Sequence, residues 1–198
     1  RTIGVRSFIN RDGWDQDFEL NYQFGDLGTS KISAYSLFWE GGYTFRKPAW
    51  KPRLGYGLVS TSGDKTRADG RLNTYRPFVV RPPWGQMVAF GASNVQGVQA
   101  VGNLQPTPKL RITARRYWFR RTSANDGLYT AGYQPLRPGT GAQSRSIGSQ
   151  TELAADYDVN RHLRLTLVQS HFDAGRYIRQ GAGGKDIDYT AAIFFYRF

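Results

Sequence analysis

Arg6, Arg53, Arg111, Arg115, Arg121 and Arg164 each stand on the more polar side of a segment in which polar and apolar residues alternate. A guanidinium stays charged at any relevant pH, and its planar fork grips a carboxylate through two parallel hydrogen bonds. A row of such groups on one side of a sheet would hold a succession of anions, each weakly enough to let it go. Glu19, Glu40, Glu152 and Asp156 share those polar sides. The competing role for each arginine is therefore a salt bridge to a neighbouring acid. Acids crowd 14–24 and 147–159 while 109–122 is basic, so the polar side is expected to carry a transverse field as well.

Reaction chemistry finds little support. His162 and His171 are the only histidines, and there is no cysteine. No Ser-His-Asp, HExxH or paired-carboxylate arrangement is local, and solvation of a wet face accounts for the alternating pair Asp15 and Asp17. No enzyme and no cofactor is expected. Asp64 and Asp69, in a Gly-containing stretch, are weak candidates for a calcium site; turn formation is the commoner use of Asp in such a setting.

The 198 residues include 23 Gly, 12 Tyr, 12 Phe and 5 Trp, with a net charge of +12. Such a charge suits nucleic acid, a membrane surface or a channel for anions. The basic residues are scattered, with arginine doublets only at 115–116 and 120–121 and no accompanying RNA- or DNA-binding motif, so nucleic acid is not expected as a partner. No apolar run approaches the ~18 residues of a transmembrane helix. A β-barrel is compatible with this, because half of its strand residues face water. Absence of cysteine suits export through an oxidising periplasm. The chain opens at Arg1 in what already reads as a strand, and the expectation is a C-terminal portion of a longer protein whose leader and N-terminal half lie elsewhere.

Alternation and turn chemistry predict nine strands near 1–10, 14–24, 32–46, 52–62, 93–104, 109–122, 147–159, 162–173 and 186–198. In the second, Trp14, Gln16, Phe18, Leu20, Tyr22 and Phe24 oppose Asp15, Asp17, Glu19, Asn21 and Gln23, one apolar face and one polar. The last runs to a terminal aromatic, with Thr190, Ala192, Phe194, Tyr196 and Phe198 on one side. Short links at 11–13, 47–51, 105–108 and 160–161 alternate with longer ones at 25–31, 63–92, 123–146 and 174–185. Short periplasmic turns alternating with longer outer loops is the layout of an outer-membrane barrel. Aromatics fall in two bands, Trp14, Tyr43, Phe45, Tyr157, Tyr196 and Phe198 at the short-turn end and Tyr22, Phe24, Tyr35 and Trp118 at the other. Strict alternation places Arg116 and Arg120 on the apolar side. A charge at a bilayer midplane costs about 2–4 kcal/mol, falling to about 0–1 near the interface. Arg120 is high enough to snorkel; for Arg116 a face-swapping bulge is the open alternative.

Several segments resemble, in order and spacing, the bacterial alginate export family. They are Ser62-Gly63-Asp64, Asp69, Arg71-Leu72-Asn73-Thr74-Tyr75 and Pro77-Phe78; then Pro106-Thr107-Pro108, Asn125-Asp126-Gly127-Leu128-Tyr129 and Gln134-Pro135-Leu136-Arg137. Val159-Asn160-Arg161-His162-Leu163, Ser170-His171-Phe172, Ala174-Gly175 and the terminal Tyr196-Arg197-Phe198 continue the likeness, which covers essentially the whole chain. The resemblance implies an outer-membrane barrel of about eighteen antiparallel strands, of which residues 1–198 form a single C-terminal barrel portion with long outer loops at 63–92 and 123–146. It implies a Gram-negative outer-membrane location, a basic lumen passing an anionic polysaccharide such as alginate, and partners among membrane lipid, the polysaccharide and a periplasmic secretion complex. The segment Val79-Val80-Arg81-Pro82-Pro83-Trp84 and the pair Arg115-Arg116 depart from the family pattern, which leaves the substrate open between alginate and other small anionic or aromatic solutes. A soluble all-β polysaccharide-binding or lyase domain with a basic groove is the alternative from another class.

Overall fold

The computed structural model describes residues 1–66, 68–78, 84–87, 89–140, 143–181 and 183–198. Nine long strands carry the fold: β1 Thr2–Arg11, β2 Trp14–Leu27, β3 Ser30–Thr44, β4 Arg53–Thr61, β6 Val95–Thr107, β7 Leu110–Arg121, β10 Ser146–Asp158, β11 Leu163–Ala174 and β12 Ile187–Tyr196. Three short strands lie between them, β5 Arg71–Leu72, β8 Leu128–Tyr129 and β9 Pro135–Arg137, together with a one-turn helix α1 Arg176–Arg179. All nine expected strands are present, with ends shifted by a few residues; the four short elements were not expected.

The long strands form one antiparallel meander in sequence order, β1-β2-β3-β4-β6-β7-β10-β11-β12. β5 adds to β3 in parallel, and β8 with β9 makes a separate hairpin. Register follows turn chemistry. Asp12 and Gly13 both have positive φ, 55° and 89°, as a two-residue primed turn requires, and they close Arg11 onto Trp14.

Register sets two faces. On the open face Trp14 opposes Tyr43, Phe18 opposes Trp39, and Tyr22 opposes Tyr35. Leu110, Leu163, Leu165 and Phe194 continue this face. Large apolar side chains here lie bare, Leu167 at 61% and Phe194 at 72% exposure. Such a face buries nothing within the chain, and contiguous exposed apolar surface marks contact with another molecule or a membrane. Arg116 also lies on it. β7 pairs with β10 without a break from Leu110 to Phe119, and the one irregularity of that pairing falls at Ser146/Gly148. There Gly148 adopts φ +145°, a value costly for any residue with a Cβ. No bulge swaps the faces at Arg116, so strict alternation holds.

The core lies on the opposite face, and loop residues build half of it. The described residues of 62–94 and 122–145 fold back over the long-loop end of the sheet. Trp84 and Phe90 from the first loop pack on Phe119 of β7, with ring centroids 5.1 and 5.0 Å away, and Phe90 also meets Phe172 of β11 at 6.2 Å. Met87, Leu128, Ile147 and Tyr177 complete the cluster. The described residues of the loops at 63–92 and 123–146 therefore cover the sheet's polar face.

Candidate transport pathway

The loop-covered face carries the arginines singled out in the sequence, and the structure gives them different company. Arg6 makes a two-pronged bond to Asp17 at 2.9 and 2.6 Å, exposed on both sides. Arg53 is the hub of a network: Nε and Nη2 reach Asp15 at 2.7 and 2.5 Å, Nη2 reaches Glu40 at 3.2 Å, and Nη1 reaches Asn103 at 3.4 Å. Glu40 also accepts from Gln99 at 2.7 Å. Arg164 forks onto Asp158 at 2.6 and 3.1 Å. Arg115 approaches Glu152 at 3.4 Å. Arg111 has no ion-pair partner among the described residues and is exposed.

Arg121 stands apart from the other five. It is fully buried beneath the second loop, where its two Nη groups donate to the backbone oxygens of Ala124, Asp126, Gln143 and Ser144 at 2.8–3.2 Å. Its guanidinium lies 3.8 Å from the centroid of the Tyr177 ring. Those contacts occupy both Nη groups, Nε is buried without a hydrogen-bond partner, and no charge faces solvent. Arg121 works here as the clasp of the loop, ordering backbone that no strand pairs.

A cavity of about 630 Å³ opens between the first loop and the strands β2, β3, β4, β6 and β7. Phe38, Tyr75, Phe78, Trp84, Tyr117 and Phe119 give it an aromatic wall, and Asp17, Glu19, Glu40 and Arg115 its charge. Glu152, at 1% exposure, accepts the Gln86 backbone N–H at 2.8 Å and the Ser170 hydroxyl at 3.0 Å. The buried carboxylate thus pins the loop while it draws Arg115. A second, smaller opening lies at the short-turn end, bounded by Lys109, Arg161, His162, Arg164 and Arg197 with Asp158. Both openings offer rings, which stack on sugar faces, and guanidinium forks, which bind carboxylates.

Asp126 holds the two loops together, a role no sequence signal assigned to it. Its carboxylate accepts from the Asp64 N–H at 3.0 Å, the Thr74 hydroxyl at 2.6 Å, the Tyr129 hydroxyl at 2.6 Å and the Gly127 N–H at 2.7 Å. Asn94, buried and at φ 57°, ties the same loops by donating to Ser123 and Gly127 oxygens at 3.0 and 2.9 Å. Gln23 of β2 clamps the Arg76 backbone from both sides, at 2.7 and 3.0 Å. Of the two weak calcium candidates, Asp64 accepts the Asn73 N–H at 2.5 Å and Asp69 the Arg71 N–H at 2.9 Å. The first spans nine residues of the loop and the second closes a local turn, and the described residues contain no cluster of three or more potential metal ligands. Burial pushes the Asp64 carboxyl above its usual range. The departure from the family pattern at 79–83 lies outside the described residues.

The family described as alginate export matches residues 1–191 of the chain. No curated protein matches it significantly.

Proposed function

This chain belongs to the alginate export family, and on that premise we propose that it forms part of the wall of an outer-membrane channel for an anionic polysaccharide such as alginate. The family is one of outer-membrane transport proteins, and not a family of enzymes. The observation that carries the reading is the pairing of two faces in a nine-strand meander. One face is apolar and bare; the other bears arginines and is narrowed by a loop folded onto it. In this reading the open face meets lipid and the loop-covered face lines the lumen. The short turns point to the periplasm and a secretion complex there, and the sheet closes with further strands into a barrel of about eighteen.

The lumenal arginines act as a graded ladder. Arg111, unpaired, is the readiest to take a substrate carboxylate. Arg6, Arg53, Arg115 and Arg164 exchange an internal acid for the passing one, which keeps each contact weak enough for movement. The aromatic wall of the larger cavity favours a second reading, a porin for small anionic or aromatic solutes. Planar-bilayer conductance of the full-length protein decides between them. Uronate oligomers should block the current in a length-dependent way, and the Arg111→Glu and Arg164→Glu variants should weaken both the block and the anion preference. Block by single aromatic acids but not by uronate oligomers would favour the porin; no effect of either class would overturn both readings.

A further inference from the structure

Gln96 of β6 accepts on one oxygen from two cations, Arg120 Nε at 3.0 Å and Arg145 Nη2 at 3.3 Å. Two guanidinium groups thus meet on a neutral amide at the long-loop end of the open face. Neither has a carboxylate partner among the described residues, and the other bonds of Arg145 go to the backbone oxygens of Arg121 and Thr122, both at 2.7 Å. Both arginines are exposed. Arg116, four residues further down β7 on the same face, is already occupied by Ser149, Thr151 and Asp173. Of these three arginines, the two without a carboxylate partner among the described residues are therefore Arg120 and Arg145. Like charges held together in this way raise the affinity of the spot for an anion.

The surface directly below identifies the kind of anion. Trp118 and Val98 lie next down the open face, 46% and 38% exposed. The apolar part of this face also differs in height around the sheet. On β2 it runs from Trp14 to Phe24, about 33 Å of strand at 3.3 Å per residue. On β7 it runs only from Leu110 to Ala114, about 13 Å, before Arg116 interrupts it. On β10 and β11, Thr151, Ser149, His171 and Asp173 continue that polar upper half. A barrel's apolar band is about 25 Å tall, so on this side polar lipid headgroups must reach down to the level of the arginines.

We propose that the Arg120–Arg145 pair binds the phosphate headgroup of a membrane lipid, with the lipid's apolar chains lying down over Trp118 and Val98. The inference rests on the reading that the open face meets a bilayer. Two guanidinium forks supply donors for the phosphate oxygens, and Gln96 holds the forks at a common spacing.

The test uses the full-length protein in nanodiscs of zwitterionic phospholipid containing a small fraction of phosphatidic acid, with retained lipid read by native mass spectrometry. Wild type should retain phosphatidic acid. Gln96→Glu puts a carboxylate between the two cations without disturbing the strands, and it should cut retention roughly tenfold, as loss of a charge-assisted pair implies. The Arg120→Gln/Arg145→Gln double variant should do the same, while channel conductance in both stays at the wild-type level. Equal retention by wild type and variants overturns the proposal. So does displacement of the lipid by equimolar inorganic phosphate, which would make the rim a plain anion site. Failure of the membrane reading itself shows differently: the protein would be monodisperse without detergent and would retain no lipid of any kind.

Discussion

Asp126 shows what one side chain contributes where loops have no ladder to pair with. Four donors converge on its carboxylate: two hydroxyls and two backbone N–H groups. Asp126→Ala strands all four at once and is expected to cost about 2–4 kcal/mol of loop anchoring. Faster limited proteolysis within 65–87, with the strands still protected, would register it. Asp64 gives the same junction a pH dependence. Its folded pKa is raised by burial, so its contribution to docking is complete below the unfolded value and is lost as pH rises through the folded one. The loop should be held more firmly in mild acid than at neutrality. Proteolysis of the wild type at about pH 4.5 and 7 should show slower cleavage at the lower pH, and Asp64→Asn should abolish the difference.

At the scale of elements, the first long loop behaves as part of the sheet's inner layer. Trp84, at 1% exposure, meets Phe90 and Phe119 with centroids 5.2 and 5.1 Å away. Trp84→Ala removes the largest side chain of that cluster and should destabilise the docked loop by about 3–5 kcal/mol. Because the loop occupies the face proposed as lumen, its release should widen the channel. Single-channel conductance of the Trp84→Ala protein is therefore expected to rise, with larger current fluctuations. An unchanged conductance would place the narrowest point of the channel elsewhere.

For the whole molecule, the unpaired edges matter most. β1 and β12 each have one neighbour, and both run toward the short-turn end. Joining them directly would require a parallel pair in an otherwise antiparallel sheet. Open edges beside an exposed apolar face favour association between chains. A polypeptide of residues 1–198 alone should accordingly aggregate or form mixed oligomers, without the heat-modifiable electrophoretic migration of a closed barrel. A discrete, detergent-stable monomeric pore made by these residues would show that a smaller closure exists.

Strands, register and the two faces were legible in the sequence, because a period of two is a local property that side-chain polarity records directly. Asp12-Gly13 announced its turn, and the run from Trp14 to Phe24 announced its face. Alternation even placed Arg116 correctly, where caution about a charge on the apolar side had suggested a bulge. Length alone identified the long loops, but length does not say where a loop goes. Only the tertiary structure brought Trp84 and Phe90 onto Phe119 and Phe172, joined Asp64, Thr74 and Tyr129 through Asp126, and buried Arg121 among carbonyl oxygens. The ring contacts and the bonds from Asp64 and Thr74 join residues tens of positions apart with no periodicity between them. An arginine's charge can be read from one letter of sequence, but whether that charge faces water depends on what the rest of the chain folds over it.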